Sequence, residues 1–153
     1  MKVSTRGDYA VRVTLELALS PPGAIVPLSD LAQRAGVPPQ YTVQLLRTLQ
    51  TRGIIKSHRG ARGGFSLGRR AAEITVAEVL RLMDGPLAPL PCASQSIHIP
   101  CSTILCQSES DCVLRDMWVD VRNAIAGILD NTTFADLASR RRLSTETRDS
   151  YAI

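Results

Sequence analysis

The chain has 153 residues, 44% hydrophobic, 21% charged and only 4% aromatic. This is a globular composition with an aliphatic core, and it leaves room for one domain and an appended helix or two rather than two full domains. No stretch approaches the roughly 18 to 20 uninterrupted apolar residues of a membrane span, and the opening MKVSTRGDYAVR has no apolar signal segment, so a cytoplasmic location is expected. The formal net charge of +4 hides an asymmetry: residues 1–70 hold 11 Lys and Arg against 3 Asp and Glu, whereas residues 71–153 hold 7 against 11, which assigns any polyanionic partner to the N-terminal half.

From Asp8 to about Leu19, Tyr9, Val13 and Leu17 recur at helical spacing with Ala10 and Ala18 beside them, and SPPG at 20–23 ends the helix. In LSDLAQRAG, Ser29 is the expected N-cap and Gly36 the C-terminal stop of a helix of about two turns. A third helix is expected from near Pro38, turning Tyr41, Leu45 and Leu49 inward and Gln40, Gln44, Arg47 and Thr51 outward, with Gly53 closing it. IIKSHR, GARGG and FSL then read as strand, glycine turn and strand. The predicted architecture is mainly α with a small β-hairpin wing: a winged helix-turn-helix over residues 1–85.

Thr75 to Glu78 has the form of a capping box for a helix that Gly85 can end. Residues 86–111 form a proline- and serine-rich connection holding three of the four cysteines, too long to be left without an organiser. From about Cys112 a long helix carries Leu114, Met117, Trp118, Val121, Ile125 and Ile128 on one stripe, with Arg115, Asp116, Asp120 and Arg122 outside it, and such a stripe needs a partner. A second box, Thr133 to Asp136, opens a short helix ending near Arg140, Arg141 and Arg142, so residues 112–142 form a C-terminal helical unit and 143–153 a flexible tail.

A helix fits the major groove of B-form DNA and reads base edges through side chains on its outer face. Gln40, Thr42 and Gln44 are the candidate base readers, Arg47 suits a phosphate or a guanine, and Tyr41 is more core than contact. Ser29, at the front of the second helix, joins the candidate DNA contacts, and Arg59 and Arg62 on the wing would reach phosphates or the minor groove. Any one of these residues could simply face solvent; the ordered set together with the charge asymmetry points to DNA.

SDLAQRAGVPPQYTVQLLRTLQTRGIIKSHRGARGGFSL followed by ITVAEVLRLMDGP resembles the Rrf-two family of bacterial winged-helix regulators, which includes iron–sulfur cluster assembly regulators and nitric-oxide-sensing repressors. The likeness runs from Met1 to about Arg142. Its most specific parts are the wing from Ser57 to Gly64, the start KVSTRGDYAVR, and the cysteines leading into a helix with a tryptophan. It implies a homodimer formed through the Leu114 to Ile128 stripe and a roughly palindromic operator in double-stranded DNA. Thr42 and Val43 stand where relatives commonly carry Leu-Glu, so the operator is expected to differ.

Cys92, Cys101, Cys106 and Cys112 have the spacing C-x8-C-x4-C-x5-C, which is neither a zinc-ribbon nor a ferredoxin pattern. All four cysteines lie within one proline-broken stretch, and cytosolic thiols are reduced, so metal ligation or redox sensing is favoured over disulfides. Thiolates suit an iron–sulfur cluster, and a cluster would order the loop. The resemblance implies Cys106 and Cys112 as ligands, with Cys101 or Cys92 as the first, and offers Asp8 from the other subunit as a further one. His98 is a lesser candidate. The alternatives are a DNA-binding regulator using thiol oxidation or zinc, and, more remotely, a small iron–sulfur electron carrier. No enzymatic activity is expected.

Overall fold

The computed structural model describes residues 3–101 and 110–150, except for the side chains of 145–150. Within it lie α1 (Thr5–Leu19), α2 (Leu28–Ala35), α3 (Pro39–Thr51), β1 (Ile55–His58), β2 (Gly64–Leu67), α4 (Val76–Asp84), α5 (Val113–Asp130) and α6 (Phe134–Ser150), with single 3-10 turns at Ala71–Glu73 and Pro91–Ala93. The order of three helices, hairpin and helix is the one expected of a winged helix-turn-helix.

Helix α1 begins three residues before Asp8 because Ser4 caps it, its Oγ accepting the Gly7 N–H at 3.0 Å. The Asp84 carboxylate at the end of α4 accepts from the Ser4 N–H at 2.9 Å and from the Ser4 hydroxyl. Gly7 is buried at this crossing, where a Cβ would overlap the Asp84 carboxylate and lie 3.1 Å from Leu80 Cδ2. Glycine is therefore what lets α4 close on the first turn of α1. Below the crossing Ala10, Val13, Thr14 and Leu17 are buried, and the Thr14 hydroxyl is satisfied by the Ala10 carbonyl at 2.8 Å.

Helix α2 starts earlier than the Ser29 cap would have it. Pro27, at φ −59°, is the N-cap; its carbonyl accepts the Leu31 N–H at 3.0 Å, and Ser29 sits inside the first turn with its hydroxyl on Asp30 at 3.1 Å. Gly36 ends the helix as expected, in the left-handed conformation at φ 65°, ψ 38°, donating to the Ala32 and Gln33 carbonyls. Gly53, at φ 65°, closes α3 by donating to Gln50.

The wing pairs β1 and β2 antiparallel, with Ile55 opposite Leu67 and His58 opposite Gly64. Val26 adds a third edge, exchanging hydrogen bonds with Phe65 at 2.9 and 2.8 Å. A side chain at Gly64 would strike the Val26 carbonyl oxygen, so this glycine permits the edge pairing.

Thr75 caps α4, accepting the Glu78 N–H at 3.2 Å, but the Glu78 carboxylate takes Arg69 at 2.6 Å instead of completing the box. The Thr133–Asp136 box is reciprocal, with Thr133 N–H to Asp136 Oδ2 at 2.9 Å and Asp136 N–H to Thr133 Oγ1 at 3.2 Å. The chain returns here to the winged unit: Val76 N–H donates to Thr132 at 2.9 Å and Phe134 N–H to Ile74 at 3.0 Å. Fully buried Phe134 belongs to the core that holds Val13, Leu45 and Ile74, a contribution worth about 1.5 to 3 kcal/mol. Helix α6 continues to Ser150, beyond the stop expected near Arg142, because residues 143–150 contain neither Gly nor Pro.

Helix α5 has no buried residue; Leu114 and Ile128 are 63% and 68% exposed, while Trp118 and Ile125 are half-buried. Its end is tied to α4 by Arg81, whose guanidinium makes two hydrogen bonds to the Asp130 carboxylate, Nη2 to Oδ2 at 2.8 Å. No described helix is long and apolar enough to cross a membrane.

Two outcomes follow from these junctions. Gly7→Ala should lower stability by about 1 to 3 kcal/mol through overpacking, read from urea unfolding midpoints against Asp8→Ala, which lacks that clash. Hydrogen bonding from Arg81 holds the Asp130 carboxyl below the usual carboxylate range, against the opposing effect of partial burial. Its contribution is therefore fully present above the ordinary carboxylate pKa and is lost as pH falls through the lowered folded value. Asp130→Asn should flatten that acid limb by no more than about 1 kcal/mol, since the pair is half exposed, as measured by denaturation at a series of pH values.

Candidate functional site

The apolar wheel of α3 buries Leu45, Leu46 and Leu49 and leaves Gln40, Gln44, Arg47 and Thr51 exposed on the opposite side. Tyr41 is half-buried, its ring edge-on to Tyr9 with centroids 5.7 Å apart and planes at 81°. Thr42, expected among the base readers, is a correction: it is fully buried, and its hydroxyl donates to the Pro38 carbonyl at 3.0 Å. It lies three, four and seven residues before Leu45, Leu46 and Leu49, on the inward face. Ser29 is exposed at the front of α2, and Arg59 and Arg62 are exposed at the wing tip. Behind the tip, His58 Nε2 meets Ser66 Oγ at 2.9 Å, a cross-strand contact at the turn end of the hairpin.

Ion pairing sorts the cations of this half. Arg12 pairs with Asp8 at 2.9 Å, Arg69 with Glu78 at 2.6 Å and Arg70 with Glu73 at 2.6 Å. Arg6, Arg34, Arg47, Arg52, Lys56, Arg59 and Arg62 make no ion pair among the described residues. The positive excess counted in the sequence is thus carried largely by α3, its flanks and the wing, the arrangement needed to meet a phosphate backbone. Arg6 escaped the sequence analysis because only the tertiary fold brings the first turn of α1 beside α3.

The second constellation is the cysteine segment. Cys92 is buried in the 3-10 turn at Pro91–Ala93, and Arg115 Nε donates to its carbonyl at 3.1 Å. Arg122 donates to the Ala93 carbonyl, and Ser94 Oγ accepts the Ile97 N–H at 3.1 Å. The part of the connection near Cys92 is therefore organised by two arginines of α5, which sequence periodicity had left facing solvent. The signal that could have found them is positive charge beside a segment rich in unpaired carbonyls.

Cys92, Cys101 and Cys112 line one small cavity of ≈ 80 Å³ together with Leu90, Leu114, Arg115 and Trp118. Cys106 lies outside the described residues. By residue type the donor set suits a soft metal, because thiolates are soft ligands. Among the described residues, however, no group of three His, Cys, Asp or Glu is arranged to hold a metal ion. His98 is exposed, and Asp8, beside Tyr9 and Arg12, is not part of the cysteine cavity within one chain.

Comparison with known proteins agrees with this fold. The Rrf2 model, described as "Iron-dependent Transcriptional regulator", matches residues 3–140. The chain is 38% identical over 138 residues, 90% of its length and 81% of the relative's, to a protein of Mycobacterium tuberculosis named "Putative HTH-type transcriptional regulator Rv1287". Among solved structures it is similar to CymR, the global cysteine regulator of Bacillus subtilis, with a TM-score of 0.75 and 32% identity over 92% of this chain and 98% of that one. It is also similar to IscR of T. potens, with a TM-score of 0.71 and 29% identity over 92% and 88%. These relatives are transcriptional regulators, not enzymes. With its three-helix unit, its glycine-hinged wing and a match over nearly its whole length, the chain belongs to the Rrf2 family of DNA-binding transcriptional regulators.

Proposed function

We propose that the protein is a cytoplasmic homodimeric transcription regulator that reads a roughly palindromic operator and senses redox state, nitric oxide or iron status through its cysteine segment. The observation that carries the sensing half is the convergence of Cys92, Cys101 and Cys112 on one cavity against Trp118, with the same segment hydrogen-bonded to α5 through Arg115 and Arg122. Gln40 and Gln44 read base edges, Arg47, Arg59 and Arg62 hold the backbone, and Ser29 and Tyr41 flank the contact. The exposed stripe of α5 meets its copy in a second chain, which pairs two recognition helices.

An iron–sulfur cluster held by Cys106, Cys112 and either Cys101 or Cys92, with the remaining cysteine or Asp8 of the second subunit as the fourth ligand, would supply a centre responsive to oxidants and nitric oxide. The chain's own part is mechanical. Arg115 and Arg122 couple the cysteine segment to α5, and Arg81 and Asp130 couple α5 to α4. A hundredfold change in operator affinity needs only about 2.7 kcal/mol of difference between the two states.

A second reading has its own support. The similar Bacillus regulator is a cysteine regulator, and the described cysteines do not form a three-ligand group. In this reading the thiols respond directly, without iron. Protein purified without oxygen separates the two: visible absorbance with bound iron and acid-labile sulfide, reduced in Cys112→Ser, is the expected result. Colourless protein that still binds DNA would transfer the function to the thiols.

The interface has a separate test. Replacing both Gln40 and Gln44 with Ala should collapse the preference for a selected duplex over an unrelated one, each lost contact costing about 1 to 3 kcal/mol. Arg59→Ala should instead weaken both duplexes about equally. Undiminished preference in the double variant would remove α3 as the reader.

A further inference from the structure

We infer that Arg6, outside the helix-turn-helix, is a DNA-backbone contact, and that the Ser4–Asp84 junction between α1 and α4 positions it. The inference rests on the reading of α3 as the DNA-facing helix. Arg6 is exposed in the first turn of α1, and its Nη2 meets Thr48 Oγ1 of α3 at 3.4 Å. The Thr48 hydroxyl donates in turn to the Gln44 carbonyl at 3.2 Å. Arg6, Tyr41, Gln44, Leu45 and Thr48 together line a concavity of ≈ 370 Å³, so the guanidinium stands beside the residue that reads bases.

Among the described residues, its electrostatic situation is that of the unpaired cations of α3 and the wing rather than that of the ion-paired arginines. Arg12, Arg69 and Arg70 each meet a carboxylate within 3 Å, whereas the described partner of Arg6 is a neutral hydroxyl at the edge of hydrogen-bonding distance. A guanidinium left with most of its donors and its full charge matches the fork geometry of a phosphate. A strand running past Gln44 would bring phosphates to that side of α3.

The placement is rigid at its root. Ser4 gives both its backbone N–H and its hydroxyl to the Asp84 carboxylate while capping the turn that holds Arg6. Gly7, one residue further on, is pressed against the same carboxylate. Asp84 is the last residue of α4, immediately before Gly85 and the connection to the cysteines. Asp84 is thus a positioning residue, placed where a shift in the cysteine segment is felt at the DNA face.

The test uses the full-length protein and a duplex of about 30 base pairs that it has selected from a random pool, titrated over a range of salt. Arg6→Gln should lower affinity about 3- to 10-fold near 0.1 M salt and make the slope of log affinity against log salt shallower by about 0.9 per protomer. The preference over a mixed-sequence duplex and the melting temperature should stay unchanged, and Arg6→Lys should keep most of the slope. Asp84→Ala should flatten the slope in the same way, and adding Arg6→Gln to it should cost nothing more. An unchanged slope in Arg6→Gln, where Arg59→Gln flattens it, would overturn the proposal and leave the DNA-facing surface standing. If neither variant changed affinity, the surface itself would be wrong. Additive losses in the double variant would remove Asp84 from the role.

Discussion

The crossing of α1 and α4 at Gly7 is the constraint on which the rest of the molecule hangs. The other helices of the winged unit pack on α1, whose buried face of Ala10, Val13, Thr14 and Leu17 forms the floor of the core. Without a side chain at Gly7, α4 can bring its terminal carboxylate down onto the Ser4 cap. One missing methyl group thereby joins the beginning of the chain to the point where the cysteine segment departs. A Cβ here would push the Asp84 carboxylate off the Ser4 cap and crowd Leu80, so the glycine favours this junction rather than weakening the helix.

Much of the winged unit was legible because its signals are local. The glycine stops at Gly36 and Gly53 and the threonine caps at Thr75 and Thr133 act over three or four residues, and each appears where the sequence placed it. Ser29 misled because Pro27 competes with it: a proline with a preset φ and a carbonyl free to accept the Leu31 N–H starts the helix first. Thr42 misled for a different reason. A hydroxyl suggests a polar face, yet its position relative to Leu45, Leu46 and Leu49 is that of a core residue, and its one donor is satisfied by the helix backbone.

What could not be read were the long-range pairings. The hydrogen bonds from Arg115 and Arg122 span 23 and 29 residues, and Ser4 to Asp84 spans 80. Nothing in the local pattern marks either end. The cysteine segment shows the result: its composition asked for an organiser and the cysteines were the visible candidates, but backbone carbonyls held by distant guanidinium groups supply part of that order before any ligand is considered. The three described cysteines line one cavity with Trp118 and Leu90.

The Arg81–Asp130 pair has a meaning for ancestry as well as for stability. The chain leaves the winged unit just after Arg81, at Gly85, and comes back at Asp130, bonded to that same arginine. Everything between is a closed excursion whose two ends are held together by the domain it leaves. Lengthening such a loop costs little, about 0.6 kcal/mol for each doubling. Insertions, deletions and new donor residues can accumulate there while the winged unit is left undisturbed. Under the proposal that this segment senses, one winged unit can take a different detector across the same clasp.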